Sequence, residues 1–299
     1  MDPMVIAFGL GVGVLIGLTG IGGGSLMTPL LVLFAGISPT VAIGTDLAYG
    51  AITKTLGGWR HLRKGTVDLG VSKWLAVGSV PGALVGVWLL DRLQAAYGES
   101  FEPALLTAIA IALLIVAVTI LFRAMFLPKL VAREVAAIEQ TRRTKVTAVC
   151  IGAVLGLILG VTSVGSGALI GLALILVFKL TPHRVVGTDV FHAAILLWAA
   201  GLAHLVSGNV DFALMGTILV GSLPGVLIGT HLVTRVPSGV LRPVLGCVLL
   251  GSALGVLKKA GADVPPAALI GVPMAVGLVA WLIQRIRLAR PAAVDAAPA

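Results

Sequence analysis

The chain has 299 residues, 58% hydrophobic and 11% charged, with a mean hydropathy of +1.11. That composition excludes a soluble domain and describes an all-α, polytopic integral membrane protein. The formal charge of +9 would suggest nucleic acid as a partner of a soluble protein, but here Lys and Arg fall in short stretches between apolar segments, as the positive-inside rule expects; no nucleic-acid partner follows.

In chain order, the first apolar segment covers residues 4–20. Its start, MDPMVIAFGL, lacks the basic region of a cleaved signal peptide, so it is expected to belong to the structure. Gly9, Gly13 and Gly17 recur every four residues and predict a close helix-packing face. Then comes IGGGS, with Gly22, Gly23, Gly24 and Ser25, a break in the middle of an apolar region. A short second segment, residues 25–36, has Pro29 in its first turn, where a missing N–H costs little. Longer segments follow at 40–59, 69–91 and 103–126. The first carries Thr45, Asp46, Tyr49 and Lys54. The second is preceded by Asp68, which fits an N-cap, and contains Pro81-Gly82, which predicts a kink. Leu127 to Lys145 is a charged, amphipathic linker on the cytoplasmic side.

The second half repeats this order at 145–162, 168–179, 183–206, 212–234 and 239–257, with one further segment at 265–286. Pro39, Gly44-Thr45-Asp46, His61, Gly65, Val67-Asp68, Gly78-Ser79 and Pro81-Gly82 each have a counterpart at an ungapped offset of 143. The same offset pairs Gly22 and Gly24 with Gly165 and Gly167, so VGSGA, with Gly165, Ser166 and Gly167, is a second break. The expected organisation is a first repeat over 1–126, the linker over 127–145, a second repeat over 146–290 and a disordered tail over 291–299. Cys150 and Cys247 lie in apolar runs without metal-ligand spacing and read as small buried hydrophobes; no metal site and no cofactor is expected.

Charge placement gives the orientation. If each break turns the chain back to the side it entered from, 16 basic residues gather on the side of Arg60, Arg63 and Lys64 and 3 on the other. If residues 145–179 cross once instead, the split is 11 to 8. The first arrangement fits the positive-inside rule better. Each repeat then opens with a glycine-broken helical hairpin, and the repeats have inverted topology.

Irregular backbone at membrane depth survives only when buried in protein or lining a wet cavity, because an unpaired backbone group in hydrocarbon costs several kcal/mol. Two inverted breaks bring the starts of two short helices together near the midplane, where free N–H groups and positive dipole ends suit an anion. Glycine lets backbone amides approach a ligand that a Cβ would hold off. The expected anion seat is therefore Gly22, Gly23, Gly24, Ser25, Gly165, Ser166 and Gly167. Asp46 and Asp189 come seven residues after Pro39 and Pro182, about 10 Å along a helix. A carboxylate there costs about 2.5–3.5 kcal/mol even on lenient insertion scales, which points to proton coupling or to hydrogen bonds from the break. Thr45 and Thr188, beside them, are candidate ligand contacts or bond back to their own helix. Lys54, whose counterpart is Leu197, is a candidate positive charge for the anion, since helix dipoles supply only about 0.3–2 kcal/mol each; it could also snorkel to the interface. His192 lies three residues after Asp189 and could relay a proton or be a satisfied core histidine.

The duplicated break, the Pro-x4-Gly-Thr-Asp segment with Thr53-Lys54 in the first copy, and the stretches HLRKGTVD and GSVPGALVG resemble the sulfite exporter TauE/SafE family over about residues 5–285. The resemblance implies a secondary transporter, an exporter by its name, of small sulfur-containing or organic anions such as sulfite, sulfoacetate or thiosulfate, in the inner (plasma) membrane of a bacterium. The second copy departs from the pattern: it lacks the Thr-Lys pair and has Ser166 for the middle glycine. Beyond the anion, expected partners are protons and the lipid bilayer, and the glycine-rich faces permit a homodimer. An anion channel would use the same helix-end chemistry. An integral membrane enzyme is not expected: the five histidines are scattered over different segments, without HExxH or GxSxG arrangements.

Overall fold

The computed structural model describes residues 2–19, 24–126, 138–232 and 238–289. Gly22 and Gly23, most of the linker and the expected tail at 291–299 lie outside them. The described residues form an all-α bundle: α1 (Pro3–Thr19), α2 (Gly24–Leu33), α3 (Pro39–Arg63), α4 (Leu69–Tyr97), a short 3-10 turn (Gly98–Phe101), α5 (Glu102–Phe126), α6 (Arg142–Thr162), α7 (Leu169–Leu176), α8 (Pro182–Val206), α9 (Phe212–Leu232), α10 (Ser238–Lys259) and α11 (Pro266–Ala289).

Local chemistry sets many of these boundaries. Pro39 and Pro182 occupy the first positions of α3 and α8, where a fixed φ suits the helix and no N–H is missed. Asp68 Oδ1 accepts from Val71 N at 2.9 Å and caps α4; Asp211 Oδ1 accepts from Leu214 N at 2.9 Å and does the same for α9. α4 runs six residues beyond its expected end at 91, until Gly98 adopts a φ of 56°. α4 and α9 continue through Pro81 and Pro224.

Among the described residues, Leu69–Met125, Arg142–Thr162, Pro182–Val206, Phe212–Leu232 and Pro266–Ile283 are long and apolar enough to cross a membrane. α5 shows how such a helix is solvated on both sides. Leu106, Ile109, Leu113, Val116 and Ile120 form a buried stripe, while Ile111, Ile115 and Val118 are exposed on the other face. An exposed face of that kind is unfavourable in water and natural in lipid. The same two-sided apolarity explains why neither cysteine is buried as expected: Cys150 is exposed and Cys247 half-buried, because in a membrane bundle an apolar run does not distinguish core from lipid.

The halves are interleaved. α1 lies along α9 in the same direction: Gly9, Gly13 and Gly17 approach the backbone of Ile218, Ser222 and Val226 in turn. α6 lies along α4 in the equivalent way, with Gly152, Gly156 and Gly160 against Leu75, Ser79 and Ala83. Gly78, Gly82, Gly86 and their counterparts Gly221, Gly225 and Gly229 complete both interfaces. These glycine faces are therefore consumed within the chain and do not supply the surface for a homodimer. At the centre α3 and α8 pack antiparallel: Gly58 meets Phe191, and its counterpart Gly201 meets Ala48, the counterpart of Phe191. α5 packs on α10, where Gly246 faces Leu121, and α11 packs on α10 through Pro273 against Gly251.

Candidate functional site

Gly-Thr-Asp occurs twice, and each of its residues has a distinct task. A Cβ on Gly44 would stand 2.3 Å from Asn209 O, and one on Gly187 would stand 2.5 Å from Thr66 O. Only glycine admits such an approach, so each central helix is pressed against the α3–α4 or α8–α9 turn of the other half. Thr45 Oγ1 then accepts from Asp211 N at 3.0 Å, and Thr188 Oγ1 accepts from Asp68 N at 2.8 Å. Both threonines thus secure an otherwise unpaired N–H at the start of a helix in the opposite half. The third residue, Asp46 or Asp189, is left facing a break, and both side chains are buried.

The breaks meet. Ser163, which follows α6, has a φ of 61°, and Gly165 and Gly167 have φ of 121° and 97°. A Cβ on Gly24 would lie 2.7 Å from Ser163 O and 3.4 Å from Asp46 Oδ2, so the end of the first break rests on the beginning of the second. Asp46 Oδ2 receives Thr28 Oγ1 at 2.8 Å and Ser163 Oγ at 2.5 Å, one donor from each half. Ser25 and Ser166 are buried beside these contacts in sequence, in the first turn of α2 and just before α7.

The Asp189 side is built differently. The counterparts of Thr28 and Ser163 are Gly171 and Gly20, neither with a hydroxyl. Asp189 instead faces the backbone of Gly167 and the charges of Lys54 and Arg123; a Cβ on Gly171 would lie 3.2 Å from Arg123 Nη1. Lys54 is only 8% exposed. Its ammonium is enclosed rather than carried to the interface, has no hydrogen-bond partner among the described residues, and acts first on Asp189 and then on Asp46. His192 pairs with Ser79 across helices: its Nε2 meets Ser79 Oγ at 3.1 Å. The equivalent pair in the other half is Tyr49 with Ser222, both buried side by side.

Of the residues expected at the site, the structure joins Gly24 and Asp46 on one side, through Thr28 and Ser163, and Gly167, Asp189 and Lys54 on the other. Thr45 and Thr188 tie the halves together through backbone N–H groups. Sequence reasoning missed Thr28, Ser163, Ser79, Ser222 and Arg123. The recurrence of Gly78-Ser79 and Gly221-Ser222 was a signal for the two serines; Arg123 was readable only as a cytoplasmic flank because it ends an apolar run.

Elsewhere, His204 Nε2 meets Gly160 O at 3.0 Å, and His61 Nδ1 meets Thr66 Oγ1 at 3.0 Å. His61 thus braces the turn that follows its helix, and His204 ties α8 to α6.

A lipid-solvated helical bundle whose two broken helices meet around buried charges has the architecture of a membrane transporter. The family comparison agrees and is specific: the sequence profile described as "Sulfite exporter TauE/SafE" matches residues 5–256, and the chain belongs to that family. It is 39% identical over 254 residues to the probable membrane transporter protein YjnA of Bacillus subtilis (strain 168), covering 85% of this chain and 99% of the relative. It is 29% identical over 232 residues to the probable membrane transporter protein YdhB of the same organism, covering 77% and 89%. The probable membrane transporter protein YunE, also from that strain, is 24% identical over 270 residues, covering 83% and 96%. No solved structure matches the chain. α11 lies beyond the matched profile, and only 6% of its span at Pro266–Ile283 is buried. These relationships make the protein a multi-pass membrane transporter and not an enzyme.

Proposed function

We propose that the protein is a secondary transporter, working as an exporter, of small sulfur-containing or organic anions such as sulfite, sulfoacetate or thiosulfate. The observation that carries this reading is the enclosed ammonium of Lys54, near Asp189 and a helix break but without a hydrogen-bond partner among the described residues. A buried cation of this kind needs an anion, and backbone N–H groups at a glycine break can share the remaining charge. The seat uses Gly165, Ser166 and Gly167 with Lys54, and the backbone N–H groups of Gly24 and Ser25; Gly22 and Gly23, which lie outside the described residues, are assigned to it from the sequence.

Asp189 is the coupling group. When ionised, its carboxylate competes with the substrate for Lys54; when protonated, it leaves Lys54 free to hold an anion. Proton and anion are thereby linked through one charge, and alternating access follows as the two halves rock about the joined breaks. Support for inverted units comes from helix direction: α3 and α8 are counterparts and run antiparallel, as the hairpin arrangement with its 16-to-3 charge split requires. His192, held by Ser79, fixes α8, which carries Asp189, against α4 in this scheme.

The test is flux in proteoliposomes with sulfite, sulfate, thiosulfate, sulfoacetate and acetate. Saturable exchange of one or more sulfur anions, accelerated by a pH gradient and lost in Lys54→Met, supports the reading. Flux indifferent to the pH gradient removes the proton, and single-channel currents replace the carrier by an anion channel.

A further inference from the structure

Asp46 and Asp189 hold equivalent positions, yet two positive charges act on Asp189 and only one, more weakly, on Asp46. Asp189 faces both Lys54 and Arg123, whereas Asp46 is held first by the hydroxyls of Ser163 and Thr28 and only weakly by the charge of Lys54. Those two hydroxyls converge on a single oxygen, Oδ2, at 2.5 and 2.8 Å. A carboxylate that only accepts, at distances typical of charged acceptors, has the bonding pattern of the ionised form. An ionised carboxylate buried in a membrane protein requires a cation.

The surroundings describe which cation. Asp46 Oδ1 and Ser25 Oγ are both buried and meet no hydrogen-bond partner among the described residues. Ser25 and Thr28 are three residues apart on α2 and share a face, and Thr28 is already on Asp46. Ser163 supplies its hydroxyl to Asp46 and presents its carbonyl to Gly24, at the broken end of α6, where carbonyls lack intrahelical partners and the dipole is negative. All these groups are oxygens, and together they bear one negative charge. Such a set suits a small, hard monovalent cation and offers nothing to a soft or divalent transition metal. A proton on Oδ1 would find no acceptor among the described residues, while a cation held by Oδ1, Ser25 Oγ and Ser163 O would satisfy all three. Unwound carbonyls and half-helix ends are the usual membrane setting for such an ion.

We propose that Asp46, Ser25, Thr28 and Ser163 form a Na+ site that pins the two helix breaks together. Its effect on transport rests on the carrier reading above; its existence does not. The ion bridges α2, α3 and the end of α6, so it stabilises the joined arrangement by mass action.

The experiment is thermal unfolding of the purified protein in NaCl, KCl and N-methylglucamine chloride at equal ionic strength, with equilibrium binding of 22Na+ alongside. Na+ is expected to raise Tm in a saturable way that the other two salts do not reproduce. Asp46→Asn and Ser25→Ala, checked for folding by helical circular dichroism and elution volume, should need at least ten-fold more Na+; Asp189→Asn should respond like wild type. Equal Tm in the three salts with no 22Na+ bound overturns the proposal, and so does Na+ binding that survives Asp46→Asn unchanged. Na+ binding without any anion flux would instead sink the transport reading and leave this site standing.

Discussion

Thr45 and Thr188 show how much of a motif a sequence can reveal. Their recurrence beside Asp46 and Asp189 marks them at once. Their partners do not show, because each hydroxyl meets a backbone N–H 166 or 120 residues away. A local reading therefore offers the ligand or their own helix, and the opposite half stays hidden. Thr45→Val or Thr188→Val leaves one N–H at a helix start without an acceptor and should cost about 1–3 kcal/mol, lowering Tm with little change in anion affinity. Lys54 behaves in the opposite way. Lys54→Met removes an ammonium that no described group hydrogen-bonds, so the fold should persist while anion affinity falls at least about ten-fold, roughly 1.4 kcal/mol, in a binding titration.

Element boundaries were more legible than contacts. The expected segment at 183–206 became Pro182–Val206 and that at 239–257 became Ser238–Lys259, because apolar runs between prolines, charges and glycines define where a helix can lie in lipid. α7 is shorter than its segment at 168–179 because the chain leaves the helix after Leu176 and Lys179 takes a φ of 51°. The four-residue glycine spacing correctly signalled packing faces, but their partners depend on interleaving that no local pattern encodes. These faces give a direct test. A Cβ on Gly78 would stand 2.0 Å from Val149 O, and one on Gly221 would stand 2.1 Å from Ile6 O. The obstacle in each case is backbone, which cannot rotate aside. Gly78→Ala and Gly221→Ala should each cost about 1–3 kcal/mol or more, whereas Gly216→Ala, with nothing near its Cβ position, should be neutral; thermal melts in detergent distinguish them.

At the scale of the whole molecule, the two halves are built by one repeat and made unequal by a few substitutions. Glycines at 20 and 171 replace hydroxyls, and Leu197 replaces a lysine. Asp46 is consequently held by serine and threonine, and Asp189 by charge. Sequence offsets exposed the repeat and the charge count gave an orientation, which cysteine labelling can check. Arg63 and Val206 are counterparts at the exposed ends of α3 and α8; with Cys150 and Cys247 replaced by serine, R63C and V206C should react with impermeant maleimide from opposite sides of the membrane. Reaction from one side would refute inverted units. The central claim is that the joined breaks and Lys54 hold a small anion during transport. Counterflow of radiolabelled sulfite, thiosulfate and sulfoacetate into preloaded proteoliposomes measures it most directly. The account predicts saturable counterflow of at least one of them by the wild type and its loss in Lys54→Met reconstituted at equal density. Counterflow of equal rate and affinity in the two proteins, or none of any of the three anions by the wild type, would contradict it.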